Sequence, residues 1–459
     1  MKAELYLRNG LIVTEQGVFT GGVVVAQGQI SQLVSGDVAL EADEVIDLQG
    51  KVLLPGLVDD HVHFNEPGRA HWEGYRTGSM AAAAGGITTV MEMPLNATPP
   101  TIDAAKLLHK RAAVQSEAVI DYAHWGGLVD NNLEALAGLH EQGVIGYKAF
   151  MSNSGVDFAR VNDDVLYAGL KRARELGNLV AVHAESEYVT ALLGQQLRAA
   201  GRTDRAAWPE SRPPFTELEA IQRAIYWAKV SGGNLHIVHV TIAAGIEAVD
   251  QAKRDGVNVT VETCPHYLFF DHADFVRIGP AAKCAPPIRG RAEVEALWAC
   301  ILAGLVDTIA SDHSPCPWAD KEPGIDNIWQ AWGGISGVQS MLPAILTEGV
   351  HKRGLPLPAV VRMMSANPAR IFGLYPRKGS LLPGADADLV VVDLERDWTL
   401  SVDDLFYKNK HSAYSGCSFK GAVERTIVRG VTVYHNGQIM VQPGFGQLLR
   451  RSQPYGRLI

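Results

Sequence analysis

Apolar and polar positions along the chain fall into three regimes. Residues 1–52 carry short runs in which apolar and polar side chains alternate, at 4–14, 22–27, 29–34 and 44–48, separated by Gly-rich turns. Alternation with period two is the pattern of a strand with one face buried and one wet. The pattern returns near the other end, at 387–394, 423–428 and 431–434, the last followed by His435-Asn436-Gly437. A lone half-buried sheet has nothing to cover its apolar face. The simplest arrangement therefore packs the two ends, 1–52 and 377–459, together as a small β-sandwich.

The middle, 53–376, reads differently. Near-continuous apolar runs of strand length recur at 52–63, 87–93, 118–125, 144–151, 179–183, 235–240, 257–263 and 307–312. Between most of them lie segments with helical periodicity and good helix formers, such as 165–176 and 215–229. Strands apolar on both faces belong to a parallel sheet covered by helices. Eight such units predict an α/β fold, an eight-stranded β/α barrel of the TIM type beside the small β-sandwich, with chemistry at the C-terminal ends of the barrel strands.

Composition narrows the function classes. Of 459 residues, 47% are hydrophobic and 20% charged, the balance of a folded enzyme with ample core. The net charge of -9, with Lys and Arg scattered rather than striped, excludes an obvious nucleic-acid partner. The start, Met1-Lys2-Ala3-Glu4-Leu5-Tyr6, carries charges where a signal peptide needs an apolar core, and no run of about 18 apolar residues occurs. That predicts a cytoplasmic protein without a membrane partner. Cys264, Cys284, Cys300, Cys316 and Cys417 form no C-x-x-C pair and are expected to be reduced and structural.

Candidate chemistry gathers at the ends of the apolar runs. The first closes in Asp59-Asp60-His61-Val62-His63. On a strand His61 and His63 share a face, with Asp59 behind them on the same side. Other runs end in Gly146-Tyr147-Lys148, Val182-His183-Ala184-Glu185, Ile237-Val238-His239 and Ser311-Asp312-His313. An H-x-H pair alone is a weak sign of a metal, but candidates at four further strand ends point to a metal centre. Lys148 is the odd member, because a cationic amine in an apolar strand is expensive. Burial lowers a lysine's pKa, and a neutral amine can add CO2 to become a carbamate whose two oxygens would bridge two ions. The alternative is a lysine reaching out to a surface carboxylate.

Asp59 reads as an acid satisfied by backbone or, preferred here, as a support that orients a ligating histidine. His236 stands three residues before His239 and is expected on the opposite strand face, beneath a helix. His109, His140 and His351 are expected at solvent. His313 stays open between the site and packing, and His266 between the substrate pocket and a supporting position behind a ligand.

The run Pro55-Gly56-Leu57-Val58-Asp59-Asp60-His61-Val62-His63, with Lys148, His183, His239 and Ser311-Asp312-His313, resembles the cyclic amidohydrolases of the amidohydrolase superfamily. These are the dihydroorotases, the hydantoinases or dihydropyrimidinases, and the allantoinases. The likeness spans essentially the whole chain. It implies two divalent ions per subunit, one on His61, His63 and Asp312, the other on His183 and His239, with a carbamylated Lys148 between them. Nitrogen and oxygen ligands suit zinc first, with cobalt, manganese or iron as alternatives.

Dihydroorotases follow the H-x-H with Leu-Arg, an arginine that grips a carboxylate. Here Phe64-Asn65-Glu66-Pro67-Gly68 follows, which argues for a neutral substrate. The segments 61–69, 72–74, 82–89, 92–101, 284–289 and 332–337 are similar to those of the allantoinases. The resemblance to that family implies hydrolysis of the hydantoin-ring amide of allantoin to allantoate, in purine breakdown. Asp312 would move the proton, and Asn65, Asn96 and the backbone of Ile335, Ser336 and Gly337 would read the ring and its ureido arm. It also implies a homotetramer. A hydantoinase or dihydropyrimidinase is the alternative. A non-catalytic scaffold of the same fold is a remote one, disfavoured because all six ligand positions are filled.

Overall fold

The computed structural model describes residues 3–455, so the outermost parts of the two end regions, 1–2 and 456–459, lie outside the described residues. The first alternating stretch forms β1 (Ala3–Val13), β2 (Val18–Ala26), β3 (Gln29–Ser35), β4 (Ala42–Asp47) and β5 (Val52–Pro55). The middle supplies β6 (Leu57–Val62), β7 (Ile87–Glu92), β8 (Asp121–His124), β9 (Gly126–Gly127), β10 (Tyr147–Phe150), β11 (Val180–His183), β12 (Leu235–Ile237), β13 (Val259–Thr263) and β14 (Thr308–Ile309). The last stretch gives β15 (Leu389–Thr399), β16 (Ser418–Val428), β17 (Val431–His435) and β18 (Gln438–Ile439).

Among the described residues, strands from the two chain ends share one nine-stranded sheet, ordered β18-β17-β16-β15-β5-β1-β2-β3, with β4 alongside β1. The alternating pattern suggests the two ends packed together as a sandwich; in the structure they also join edge to edge as one sheet, which turns back so that Gln29 at the start of β3 bridges Asp386 just ahead of β15. The edge join is made by β5, which pairs in parallel with β1 on one side and antiparallel with β15 on the other. Alternation fixes which face is buried but not which edge is paired. Leu7, Ile12, Val25, Leu53, Leu389, Val391 and Ile427 then bury a common core drawn from both ends.

The middle strands are parallel, as expected from their apolar faces. β6, β7 and β8 pair in order, and β9 to β14 pair in theirs. β8 and β9 are one strand interrupted at Trp125, whose backbone N–H donates to the Glu92 carbonyl (3.0 Å). A parallel bridge between Val62 and His313 returns the circuit to its start, and the His63 N–H donates to the His313 carbonyl (2.8 Å). The result is a β/α barrel.

Helices cover its outside. Asp163–Glu175 starts with Asp163 and Asp164 and ends with Arg172 and Arg174, charges that complement the helix dipole. Pro214–Ser231 opens on proline and closes on Gly232 at φ +64°. Lys378 is buried where barrel and sheet meet, bonding Asp121 of β8 (2.6 Å) and Asp386 and Asp388 just ahead of β15 (both 2.9 Å).

Two expected strands differ. The 52–63 run breaks at Gly56, where a Cβ would collide with Thr88; what precedes it belongs to the nine-stranded sheet. The 307–312 run shrinks to β14, and Asp312 beyond it sits at φ +43°. All five cysteines are free. No helix among the described residues is long and apolar enough to cross a membrane.

Candidate metal centre

At the C-terminal end of the barrel, His61 Nε2 and His63 Nε2 lie 3.2 Å and 3.3 Å from the same oxygen, Oδ1 of Asp312. Beside them His183 Nδ1 faces His239 Nε2 at 3.0 Å. The His61 and His239 rings are 5.5 Å apart, so the two groups adjoin. Lys148 of β10 is fully buried, 5.3 Å from the Phe150 ring, and its Nζ has no hydrogen-bond partner. His239 and Asp312 both sit at φ +43°, just past their strands. That left-handed backbone is uncommon for side-chain-bearing residues and marks positions held by their surroundings.

Carboxylates fix the rings from behind. Glu262 Oε1 contacts His61 Nδ1 (2.9 Å) and accepts from the His239 backbone N–H (2.9 Å). Glu185 Oε2 contacts His183 Nε2 and accepts from Arg212 Nη1, both at 2.8 Å. Each leaves the opposite ring nitrogen facing the cluster, the usual way of setting a ligating imidazole's tautomer and aim.

Electrostatics favour a cation here. Burial pushes His63 down to about 4 and also lowers His183 and His239, so their rings are neutral at pH 7 with lone pairs available. Burial alone would raise Asp312, but in the acid range where His63 and His239 take up protons these rings, with His61, outweigh it and hold the carboxyl well below the usual range. Burial lowers Lys148 to about 8, against the pull of Glu262 and Asp312. Neutral imidazoles, an ionised carboxylate and a buried amine without a partner form a donor set that fits divalent metal, with His61, His63 and Asp312 already gathered around one point.

The other expected residues divide. Asp59 Oδ1 accepts from the backbone N–H groups of Ser311 (3.0 Å) and His61 (3.3 Å), so it braces β6 against the segment that follows β14 and orients no ring. Burial raises its carboxyl to about 7. His236 is not set beneath a helix away from the site: its Nε2 lies 3.4 Å from Glu262 Oε2, and it clusters with Asp60. A register shift between Asp59 and Val62, and the left-handed turn at His239, break the alternation on which both expectations stood.

His313 packs against Tyr407 and accepts the Gly337 N–H through Nδ1 (3.1 Å), outside the cavity lining. His266 is buried against Tyr267, also off the lining, and neither of its ring nitrogens has a partner.

A cavity of about 330 Å³ opens over the cluster, lined by His61, His63, His183, His239 and Asp312. Asn96 lines it as expected. Asn65 does not; its amide donates to the Pro315 carbonyl (3.4 Å). Ile335, Ser336 and Gly337 are also off the lining, held by the Ile335–His313 bridge, a Ser412 hydroxyl on the Ser336 carbonyl (2.6 Å) and the His313 ring. Residues just before them, Trp332, Gly333 and Gly334, face the cavity instead, with Trp208, Arg212 and Glu185.

Sequence reasoning passed over Glu262, although a lone acid in the apolar run Val259-Thr260-Val261-Glu262-Thr263 carries the same signal that singled out Lys148.

Comparison with known proteins agrees with this geometry. The profile of the Amidohydrolase family matches residues 52–433. A protein named allantoinase from Rubrobacter xylanophilus is 48% identical over 454 residues, covering 99% of each chain. Another of that name from Solibacter usitatus is 46% identical over 449 residues, covering 98% of this chain and 97% of its own. Among solved structures, L-hydantoinase (dihydropyrimidinase) from Arthrobacter aurescens is 36% identical with a TM-score of 0.95, covering 98% of this chain and all of its own. Dihydropyrimidinase from Brevibacillus agri NCHU1002 is 31% identical with a TM-score of 0.91, covering 98% and 99%.

Proposed function

The chain belongs to the amidohydrolase family, and from that premise we propose that it is a metal-dependent hydrolase that opens the hydantoin ring of allantoin to give allantoate. The observation that carries the reading is the convergence of His61, His63, Asp312, His183 and His239 on the floor of one cavity. Relatives named allantoinase, matched over nearly the full length at 46% and 48% identity, support allantoin as the substrate. The L-hydantoinase structure supports a second reading, ring opening of other hydantoins.

His61, His63 and Asp312 would hold one divalent ion and His183 and His239 the other, with Lys148 as a carbamate between them, and zinc suits these ligands first. Such ions supply an activated water and polarise the carbonyl under attack. Glu262 and Glu185 keep the His61 and His183 rings in register for that role. Asp312, held ionised, would take the proton of the attacking water and return it to the departing ring nitrogen. Arg212 is matched by Glu185, so the cavity wall suits a neutral ring better than a free carboxylate.

In the same reading the barrel has eight strands and spans 53–376, between the two parts, 1–52 and 377–459, of the smaller β domain. β5 supports moving the first boundary to Gly56. Exposed Tyr188 and Leu192 on the helix Glu187–Ala199, with Phe215 and Tyr226 on Pro214–Ser231, support association of copies, here taken as a homotetramer, and four buried free cysteines support a cytoplasmic setting.

The test is direct. Zinc-loaded protein incubated with allantoin should yield a product heavier by one water, with the NMR spectrum of allantoate and no released urea. Unchanged allantoin after metal loading would refute the assignment.

A further inference from the structure

Apart from His63 Nδ1, on a ring of the metal cluster, three buried polar atoms on side chains that line the cavity have no hydrogen-bond partner among the described residues: Trp332 Nε1, Arg212 Nε and Glu185 Oε1. A buried donor or acceptor left unpaired destabilises the molecule, so each calls for an occupant. Two of them are neighbours, because Arg212 Nη1 already bonds Glu185 Oε2 at 2.8 Å. That contact leaves one carboxylate oxygen and one guanidinium N–H of the pair unused.

The third is tied to them through the wall. The Arg212 guanidinium lies 4.4 Å from the Trp208 ring centre, and Lys283 Nζ lies 4.2 Å from the same ring. Lys283 Nζ donates to the Ala331 carbonyl (2.6 Å). Lys321 Nζ donates to the carbonyls of Trp332 (2.9 Å) and Gly334 (2.5 Å). Trp332 itself packs edge-on against Trp72, 4.7 Å between ring centres. Two buried lysines thus spend their hydrogen bonds on the backbone that presents Trp332, and the wall is preorganised.

Resting on the reading that the chain opens allantoin, we propose that Trp332, Arg212 and Glu185 form the subsite that reads the ureido arm. A ureido group offers one carbonyl oxygen with two lone pairs and, beside it, N–H donors. Two donors and one acceptor in the wall are its complement. The carbonyl accepts from the Trp332 indole and Arg212 Nε, and an N–H of the arm donates to Glu185 Oε1. An alkyl arm of the same length satisfies none of the three. A site built to hydrogen-bond a group rejects an analogue lacking it far more strongly than an apolar pocket rejects a missing methylene. The subsite therefore separates ureido-substituted from alkyl-substituted hydantoins that share the same scissile ring.

The experiment measures kcat/KM of the zinc-loaded full-length protein and its Trp332→Phe variant on allantoin and on 5-propylhydantoin. The wild type should favour allantoin by about 100-fold or more. Trp332→Phe keeps the aromatic wall and removes the indole N–H. It should lower kcat/KM for allantoin about tenfold, chiefly through KM, and lower that for 5-propylhydantoin less, so that the ratio narrows. Arg212→Lys, which keeps the charge facing Glu185 but lacks Nε, should narrow the ratio in the same direction and serves if the first variant does not fold. An unchanged ratio in the folded variants overturns the subsite. A wild type that opens 5-propylhydantoin and leaves allantoin untouched overturns the underlying reading instead.

Discussion

Lys148 shows how one side chain can report the chemistry around it. Its Nζ is buried without a hydrogen-bond partner, and burial brings its pKa from 10.5 down to about 8. Because the folded value is the lower one, raising pH through 8 neutralises Lys148 while ordinary lysines stay charged. Carbamate formation needs that neutral amine. Chelator-stripped protein given zinc and bicarbonate should therefore regain activity faster at about pH 8.5 than at about pH 6.5. Equal rates would argue against the carbamate. Lys148→Ala should lose bound metal by elemental analysis as well as turnover. Asp312→Asn should lower kcat by about 100-fold or more, since an amide accepts no proton, with the circular dichroism spectrum of the wild type retained. Glu262→Gln should weaken metal affinity about 10- to 100-fold in a competition titration, because Glu262 holds the His61 ring.

At the scale of elements, strand ends were the legible part of the site. Apolar runs located them, and residue type identified His61, His63, Lys148, His183, His239 and Asp312 as their cargo. What failed was strict alternation. The register shift after Asp59 turned that acid to backbone bracing, and His239 at φ +43° left His236 facing Glu262; periodicity carries no mark of either. Loops were less legible still. Whether Asn65 or Asn96 meets the cavity depends on long-range partners such as Pro315, and the choice of 332–334 over 335–337 depends on Lys321, His313 and Ser412. The two lysines behind that wall make a further expectation. Lys321→Met should free the 331–334 backbone and raise KM for allantoin about tenfold with a smaller change in kcat, read by steady-state kinetics.

For the whole molecule, the two chain ends and the barrel act as one unit through the β5–β15 seam and Lys378. Lys378→Met would leave Asp121, Asp386 and Asp388 buried without that cation. It should reduce stability by about 3–5 kcal/mol in urea unfolding, as breaking a buried ion pair does. The alternation of the end segments announced a sheet built from both termini, while the edge-to-edge join depended on β5, whose four apolar residues read as the start of a barrel strand. That sheet leaves the C-terminal mouth of the barrel to the chemistry, and the choice of substrate decides the account. The most direct measurement is kcat/KM of the zinc-loaded protein on allantoin, hydantoin, dihydrouracil and dihydroorotate, before and after chelation. Allantoin should rank first, dihydroorotate last, and all turnover should vanish with the metal; a clear preference for dihydrouracil over allantoin would contradict the account.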